Sequence, residues 1–140
     1  MLILGMDLGK SKSAWELLDT NTGEVRRGRI AMSEHALRQL LTRLRHDQFV
    51  VESCALAARA HDLACELNVP VLVADATQDA WRWKNVKRKT DADDAGKLAR
   101  LAALGQINPV HIPTPAVRER RHLIEYRRAL VDEQTRCKNR

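Results

Sequence analysis

The start of the chain restricts the fold more than any other part, because residues 2–10 read LILGMDLGK and offer no polar face. Such a run predicts a strand that is covered on both faces, at the centre of a sheet. Asp7 lies near the end of this strand, close to Gly9, which permits a sharp turn. A buried carboxylate is costly unless it has a partner such as a metal ion. We therefore interpret Asp7 as the first ligand of a divalent-metal site, and expect the other ligands later in the chain.

The composition is that of a soluble globular protein. The 140 residues are enough for one domain with a real core, and 44% of them are hydrophobic and 30% charged. No apolar run reaches the roughly 20 residues of a membrane span, and the N-terminus lacks the pattern of a signal peptide. We therefore expect a cytoplasmic protein with no membrane partner. The net charge of +6 favours an anionic partner.

Two further strands are predicted directly after the first. Residues 13–19 and 24–32 have β-prone patterns, and the turn signal Asn21-Thr22-Gly23 lies between them. The second segment contains three arginines, which suit an exposed edge strand. We expect an antiparallel meander in which the strand with Asp7 is innermost.

The middle of the chain alternates between helix and strand. Ser33 predicts the N-cap of a helix that ends near residue 45, and a strand that ends at Glu52 follows. A helix over residues 55–67 and a strand over residues 69–74 come next. This order predicts an α/β fold, with a mixed five-stranded sheet flanked by helices.

Helices are predicted for the rest of the chain. A short helix covers residues 77–85, and a longer one opens at Thr90 and ends at Gly105. After a proline-rich connector, a long polar helix runs from residue 116 to the end. This last helix has no C-cap and stops in mid-pattern, so we expect a truncated chain.

The final helix has an apolar stripe that is too narrow for a core. Such a stripe needs a partner helix, either in another chain or in sequence now missing, and we expect a homo-oligomer through this helix. The stripe contains Val117, Leu123, Ile124, Leu130 and Val131. We divide the chain into a domain over residues 1–112 and the start of a long coiled-coil helix over residues 113–140.

Four acidic residues fall where one site can collect them. Asp7 and Glu52 end predicted strands, where ligands bind in open α/β sheets, and Asp91 and Asp94 share one face of a helix. Two such charges about 4 Å apart repel by roughly 4 kcal/mol at an effective dielectric near 20. Two Mg²⁺ or Mn²⁺ ions would neutralise the cluster, and ion pairs of this kind align the attacking and leaving oxygens in phosphoryl transfer.

Three of these four acids also have a simpler explanation. Residues 90–93 fit a capping box, and we assign that role to Asp93. Acids in a first helical turn favour the helix dipole, which explains Asp91 and Asp94 equally well. Glu52 alone is an ordinary strand-end acid. A strand that ends in Asp-x-Gly also begins sugar-kinase-like folds, but these need a second phosphate loop and far more chain.

The order of the four acids, from strand Asp to strand Glu to helix Asp-x-x-Asp, matches a known family. The chain resembles the N-terminal RuvC-like domain of the DEDD transposases of bacterial insertion sequences, the group whose recombinases use a bridge RNA. The matching segments are residues 5–10 (GMDLGK), 50–54 (VVESC) and 87–95 (KRKTDADDA), followed by Leu98-Ala99. The lysine-rich approach to the D-x-x-D-A helix is the most specific of them.

This resemblance implies an RNase H-like fold and Mg²⁺-dependent recombination of DNA, with a structured guide RNA. The four catalytic and metal-binding acids of the family then correspond to Asp7, Glu52, Asp91 and Asp94. Many members have a glycine soon after the Glu, whereas here residues 53–56 read SCAL. Family members also continue into a coiled coil and a second domain with a nucleophilic serine, and nothing in this chain matches that domain.

Basic residues lead directly to the last two acids. Between Trp81 and Asp91 the chain has a cluster of basic side chains that can neutralise phosphates and guide a nucleic-acid backbone. A solvated face is the simpler alternative, and for the arginines of the final helix the two interpretations are equally supported. The predicted nucleic-acid contacts are Trp83, Lys84, Lys87, Arg88, Lys89, Arg120 and Arg121.

Three functions are compatible with these features. The first is the metal-dependent catalytic half of a transposase that acts on DNA phosphodiesters with a guide RNA. The second is a stand-alone nuclease similar to the Holliday-junction resolvases, which would cleave branched DNA by itself. The third is a truncated, catalytically silent chain that only binds RNA or dimerises. We favour the first, and expect little or no cleavage by this chain alone.

Overall fold

The strand with Asp7 lies in the middle of a five-stranded sheet in the computed structural model, which describes residues 1–75 and 91–139. The strands are β1 (Leu2–Asp7), β2 (Lys12–Asp19), β3 (Val25–Ala31), β4 (Gln48–Glu52) and β5 (Val71–Ala74). Their order is β3-β2-β1-β4-β5, with β1, β2 and β3 antiparallel and β1, β4 and β5 parallel. The predicted meander, the central first strand and the arginine-rich edge strand are therefore confirmed.

Two helices cover one face of the sheet and a third covers the other. The helices of the described residues are α1 (Glu34–Arg43), α2 (Ala57–Glu66), α3 (Asp91–Ala103) and α4 (Pro115–Lys138). Apolar residues of α1 and α2 share a core with Met6 and Phe49, whereas Leu98 and Ala99 of α3 pack against Ile3. This is the predicted mixed α/β architecture, and it is consistent with an RNase H-like fold. The predicted helix over residues 77–85 lies outside the described residues.

Local signals explain where the first helix begins. The Ser33 hydroxyl accepts a hydrogen bond from the backbone N–H of Ala36 at 3.2 Å, which is the interaction of an N-cap. Leu37 and Leu41, one turn apart, are buried against the sheet. The prediction of Ser33 as the N-cap is confirmed.

Helix α3 lies unusually close to β1 because Gly5 has no side chain. A Cβ at position 5 would collide with the carbonyl oxygen of Ala95 and lie 2.8 Å from the backbone nitrogen of Ala99. Further along the helix, Ala102 packs in the cluster that contains Ile3, toward the beginning of β1. Helix α3 therefore runs antiparallel to β1, and its first turn lies at the edge where β1 and β4 end.

Helix α4 leaves the domain with its apolar side chains exposed. The side chains of the predicted apolar stripe are between 39% and 63% exposed to solvent. They are Val117, Leu123, Ile124, Leu130 and Val131. Near its start, Arg118 is half-buried and donates hydrogen bonds to Asp62 of α2 and to the Pro113 carbonyl. None of the described helices is long and apolar enough to cross a bilayer.

Candidate active site

Two of the predicted acids end neighbouring strands. Asp7 is the last residue of β1 and Glu52 is the last residue of β4. These strands are parallel, and Met6 pairs with Val51 directly before the two acids. Because side chains alternate between the faces of a strand, Asp7 shares the α3 face with Ile3 and Gly5, and Glu52 shares it with Val50. Both acids are half-buried.

The other two predicted acids belong to the beginning of α3. Asp91 is its first residue, and Asp94 lies one turn later and is half-buried. Next to Asp94, Ala95 is fully buried where α3 meets Gly5. The fold thus brings the first turn of α3 to the sheet edge at which Asp7 and Glu52 lie. The side chain of Asp91 falls outside the described part of the structure.

The donor chemistry suits a hard divalent cation, but the described side chains do not complete a site. Carboxylate oxygens are the ligands that Mg²⁺ prefers. Among the side chains that the structure describes, no three His, Cys, Asp or Glu residues are arranged to hold a metal ion. Asp7, Glu52 and Asp94 each have an interaction partner in the protein. The four-ligand metal site, which also requires Asp91, stays a prediction.

Two residues near this edge were missed by the sequence analysis. Asp75 directly follows β5, the strand beside β4, and is half-buried. Lys97 of α3 is only 7% exposed, one turn after Asp94. The strand-end rule that selected Glu52 applies equally to Asp75. The signal for Lys97 is its spacing from Asp94, because residues three apart on a helix are neighbours.

A third residue missed by the sequence analysis is Glu16, which is completely buried on β2. It pairs across the sheet with Gly5, and its carboxylate contacts arginines from β3 and α3. The signal for Glu16 in the sequence is its position between the apolar residues Trp15 and Leu17 of a predicted strand.

The predicted nucleic-acid contacts divide into two groups. Five of them lie outside the described residues: Trp83, Lys84, Lys87, Arg88 and Lys89. Arg120 and Arg121 are exposed on α4. Arg118, another arginine of the final helix, is half-buried and links α4 to Asp62.

Comparisons with known proteins identify the family. No curated protein matches the sequence. Among solved structures, the chain is similar to an inorganic polyphosphate/ATP-glucomannokinase from Arthrobacter sp. strain KM, with 15% identity and a TM-score of 0.40. That likeness covers 56% of this chain and 46% of the kinase, and it is too distant to support an argument. The family model of the IS110-type DEDD transposases, described as "Transposase", matches residues 4–140. The chain therefore belongs to the DEDD transposase family.

Proposed function

We propose that this chain is the metal-dependent catalytic N-terminal domain of a transposase that cleaves and joins DNA phosphodiesters. The observation that supports this most directly is the pairing of β1 with β4, which ends in Asp7 and Glu52 under the first turn of α3. Parallel strands present their carboxyl ends at one edge, and ligands of α/β proteins bind there. The family match, which covers nearly the whole chain, supports the same assignment.

The proposed cofactor is a pair of Mg²⁺ or Mn²⁺ ions held by Asp7, Glu52, Asp91 and Asp94. When bound, such ions neutralise phosphate charge and align the oxygens that attack and leave. The four carboxylates would hold the ions. Half-burial of Asp7, Glu52 and Asp94 strengthens these electrostatic interactions, because charges are screened less there than in bulk water.

The proposed partners are DNA and a structured guide RNA. In the sequence, the basic segment with Trp83, Lys84, Lys87, Arg88 and Lys89 directly precedes Asp91, so a backbone held by this segment is delivered to the acids. Arg120 and Arg121 add exposed positive charge on α4. We also propose that residues 1–112 form the catalytic domain and that residues 113–140 begin a coiled coil, since the apolar stripe of α4 is exposed.

Thermal unfolding with and without metal tests the proposed site. Mg²⁺ or Mn²⁺ at a hundredfold excess over Kd is expected to stabilise the chain by up to about 2.7 kcal/mol. Asp7→Asn should abolish this gain because it removes the ligand on the central strand. Asp132→Asn, which removes an equal charge from the exposed surface of α4, should retain it. If neither Mg²⁺ nor Mn²⁺ changed the melting temperature of the wild-type chain, the proposal would be contradicted.

A second candidate, a catalytically silent chain that binds RNA, is favoured by one observation. Lys97 is buried one turn after Asp94, and its ammonium can balance carboxylates without dications. RNA affinity that is equal in the wild type and in an Asp7→Asn/Asp94→Asn variant, with no effect of metal on melting, would select this second function. Cleavage of branched DNA by the chain alone would instead indicate a resolvase-like nuclease.

A further inference from the structure

The buried Glu16, on the inner strand β2, connects the edge strand β3 to α3. It lies opposite Gly5 on β2, on the face that α3 covers, and its side chain is 0% exposed. Burying a carboxylate is costly unless a cation and good hydrogen bonds compensate it. The cations that compensate the Glu16 carboxylate are therefore expected to be held close to it.

Each oxygen of Glu16 has its own arginine. Arg27 of β3 donates from Nε to Oε2 at 2.6 Å. Arg100 of α3 places Nη2 3.1 Å from Oε1, an ion pair whose angles are not those of a hydrogen bond. Both arginine side chains are about half exposed, at 52% and 43%. Glu16 thus joins the edge strand through one oxygen and α3 through the other.

The surface of α3 that faces Glu16 is shaped to admit it. A Cβ at Gly96 would collide with the Glu16 carboxylate and lie 2.8 Å from Nη1 of Arg100. The carboxylate therefore lies directly over the helix backbone. A rotation of α3 about its axis would move Arg100 away from Glu16, so the ion pair defines one orientation of the helix.

The orientation of α3 determines where its first turn projects. Asp94 lies on the same helix as Arg100, six residues earlier, which is about 9 Å along the axis of a rigid helix. We propose that Glu16 and Arg100 are positioning residues, which hold the first turn of α3, the turn that contains Asp91 and Asp94, at the strand ends that carry Asp7 and Glu52. This inference rests on the proposed function, because it assigns those four acids to one metal site.

The two arginines provide a matched test in the 140-residue chain. Arg27→Gln and Arg100→Gln each remove one partner of the same carboxylate, but only Arg100 belongs to α3. We expect Arg100→Gln to weaken Mn²⁺ binding, measured by calorimetric titration, by about tenfold or more. Arg27→Gln should keep the Mn²⁺ affinity within about twofold of the wild type. The melting temperature of Arg27→Gln should fall at least as far as that of Arg100→Gln, because Arg27 makes the shorter contact with Glu16 and donates a hydrogen bond.

Two outcomes would overturn the inference. A purely structural ion pair predicts that both variants lose Mn²⁺ affinity in step with their loss of stability, or that neither variant loses any. If Arg100→Gln does not fold, Arg100→Lys and Arg27→Lys replace the pair. The same asymmetry is then expected, because an ammonium on a flexible lysine stem does not hold one fixed position against the Glu16 carboxylate.

Failure of the proposed function gives a different result. A wild-type chain that binds no Mn²⁺ would contradict the metal site, and hydrogen exchange would then decide the inference separately. We expect the amides of residues 94–99 to exchange faster in Arg100→Gln than in the wild type and to be unchanged in Arg27→Gln. Equal protection of these amides in both variants would contradict a positioning role.

Discussion

Asp19, at the end of β2, makes the stability of the fold depend on pH. The backbone N–H of Asn21 donates to its Oδ1 at 2.9 Å, and this bond is the main reason that the pKa of Asp19 lies below its usual value of 3.8. The amino group of Met1, 3.8 Å away, lowers the pKa further. A pKa that is lower in the folded chain means that Asp19 stabilises the fold above about pH 4. This stabilisation is lost as the pH falls through the lowered pKa.

The replacement Asp19→Asn removes this charge while keeping an oxygen for the Asn21 amide. We expect the variant to melt below the wild type at neutral pH, and the difference to shrink as the pH falls from about 5 to 3. Thermal melts across that range measure it. The exposed Asp132→Asn serves as a control, and its difference from the wild type should not follow this pattern. A gap between Asp19→Asn and the wild type that is constant with pH would show that charge is not the cause.

At the scale of elements, the packing of α3 on β1 depends on a missing side chain. The Gly5→Ala replacement places a methyl group against the backbone of α3, at Ala95 and Ala99. Backbone cannot move aside as a flexible side chain does, so we expect a loss of about 2 kcal/mol or more in the free energy of unfolding. Urea denaturation measures this loss.

The matched control for Gly5→Ala is Ala31→Val, which enlarges an exposed side chain on the edge strand β3. We expect it to change stability by less than about 0.5 kcal/mol, as surface substitutions usually do. If both variants were equally stable, α3 would not be packed directly against β1.

The attachment of α4 to the domain depends on the ion pair between Arg118 and Asp62. These side chains are 28% and 31% exposed, and Arg118 also donates to the Pro113 carbonyl. In a double-mutant cycle with Arg118→Gln and Asp62→Asn, we expect a coupling energy of about 0.5–1 kcal/mol, since the pair is partly screened by solvent. Strictly additive losses in urea denaturation would show that the two residues act independently.

At the scale of the whole molecule, the charge of +6 should make nucleic-acid binding depend on salt. If Arg120 and Arg121 contact phosphates of a DNA duplex, Arg120→Gln/Arg121→Gln should reduce the slope of log Kd against log salt by about 2, at roughly 0.9 per phosphate. Fluorescence anisotropy at several salt concentrations measures the slope.

The control for this experiment is a second double variant, which has the same net charge as Arg120→Gln/Arg121→Gln. Arg43→Gln/Arg45→Gln removes two exposed arginines near the beginning of β4, at the edge of the sheet opposite Asp7 and Glu52. It should leave the slope nearly unchanged. Equal slopes for the two double variants would mean that net charge, and not contact by α4, determines the salt dependence.

The sequence alone was enough to predict the described strands and helices of this protein and its family. The apolar run that ends in Asp7 predicted a central strand, and Ser33 predicted a helix start, because burial and capping are local demands on residue type. The spacing of Asp7, Glu52, Asp91 and Asp94 along the chain was enough to indicate the DEDD transposases, to which the match over residues 4–140 assigns it.

Only the tertiary structure decided which distant residues meet. Glu16 forms an ion pair with Arg100, 84 positions later in the sequence, and Arg118 forms one with Asp62. No local sequence pattern predicts either contact. Lysines are usually exposed, but Lys97 is buried where α3 packs against the sheet. The physical reason is that strand and helix periodicity depend on neighbours within a few residues, whereas ion pairs in a core depend on how whole elements pack.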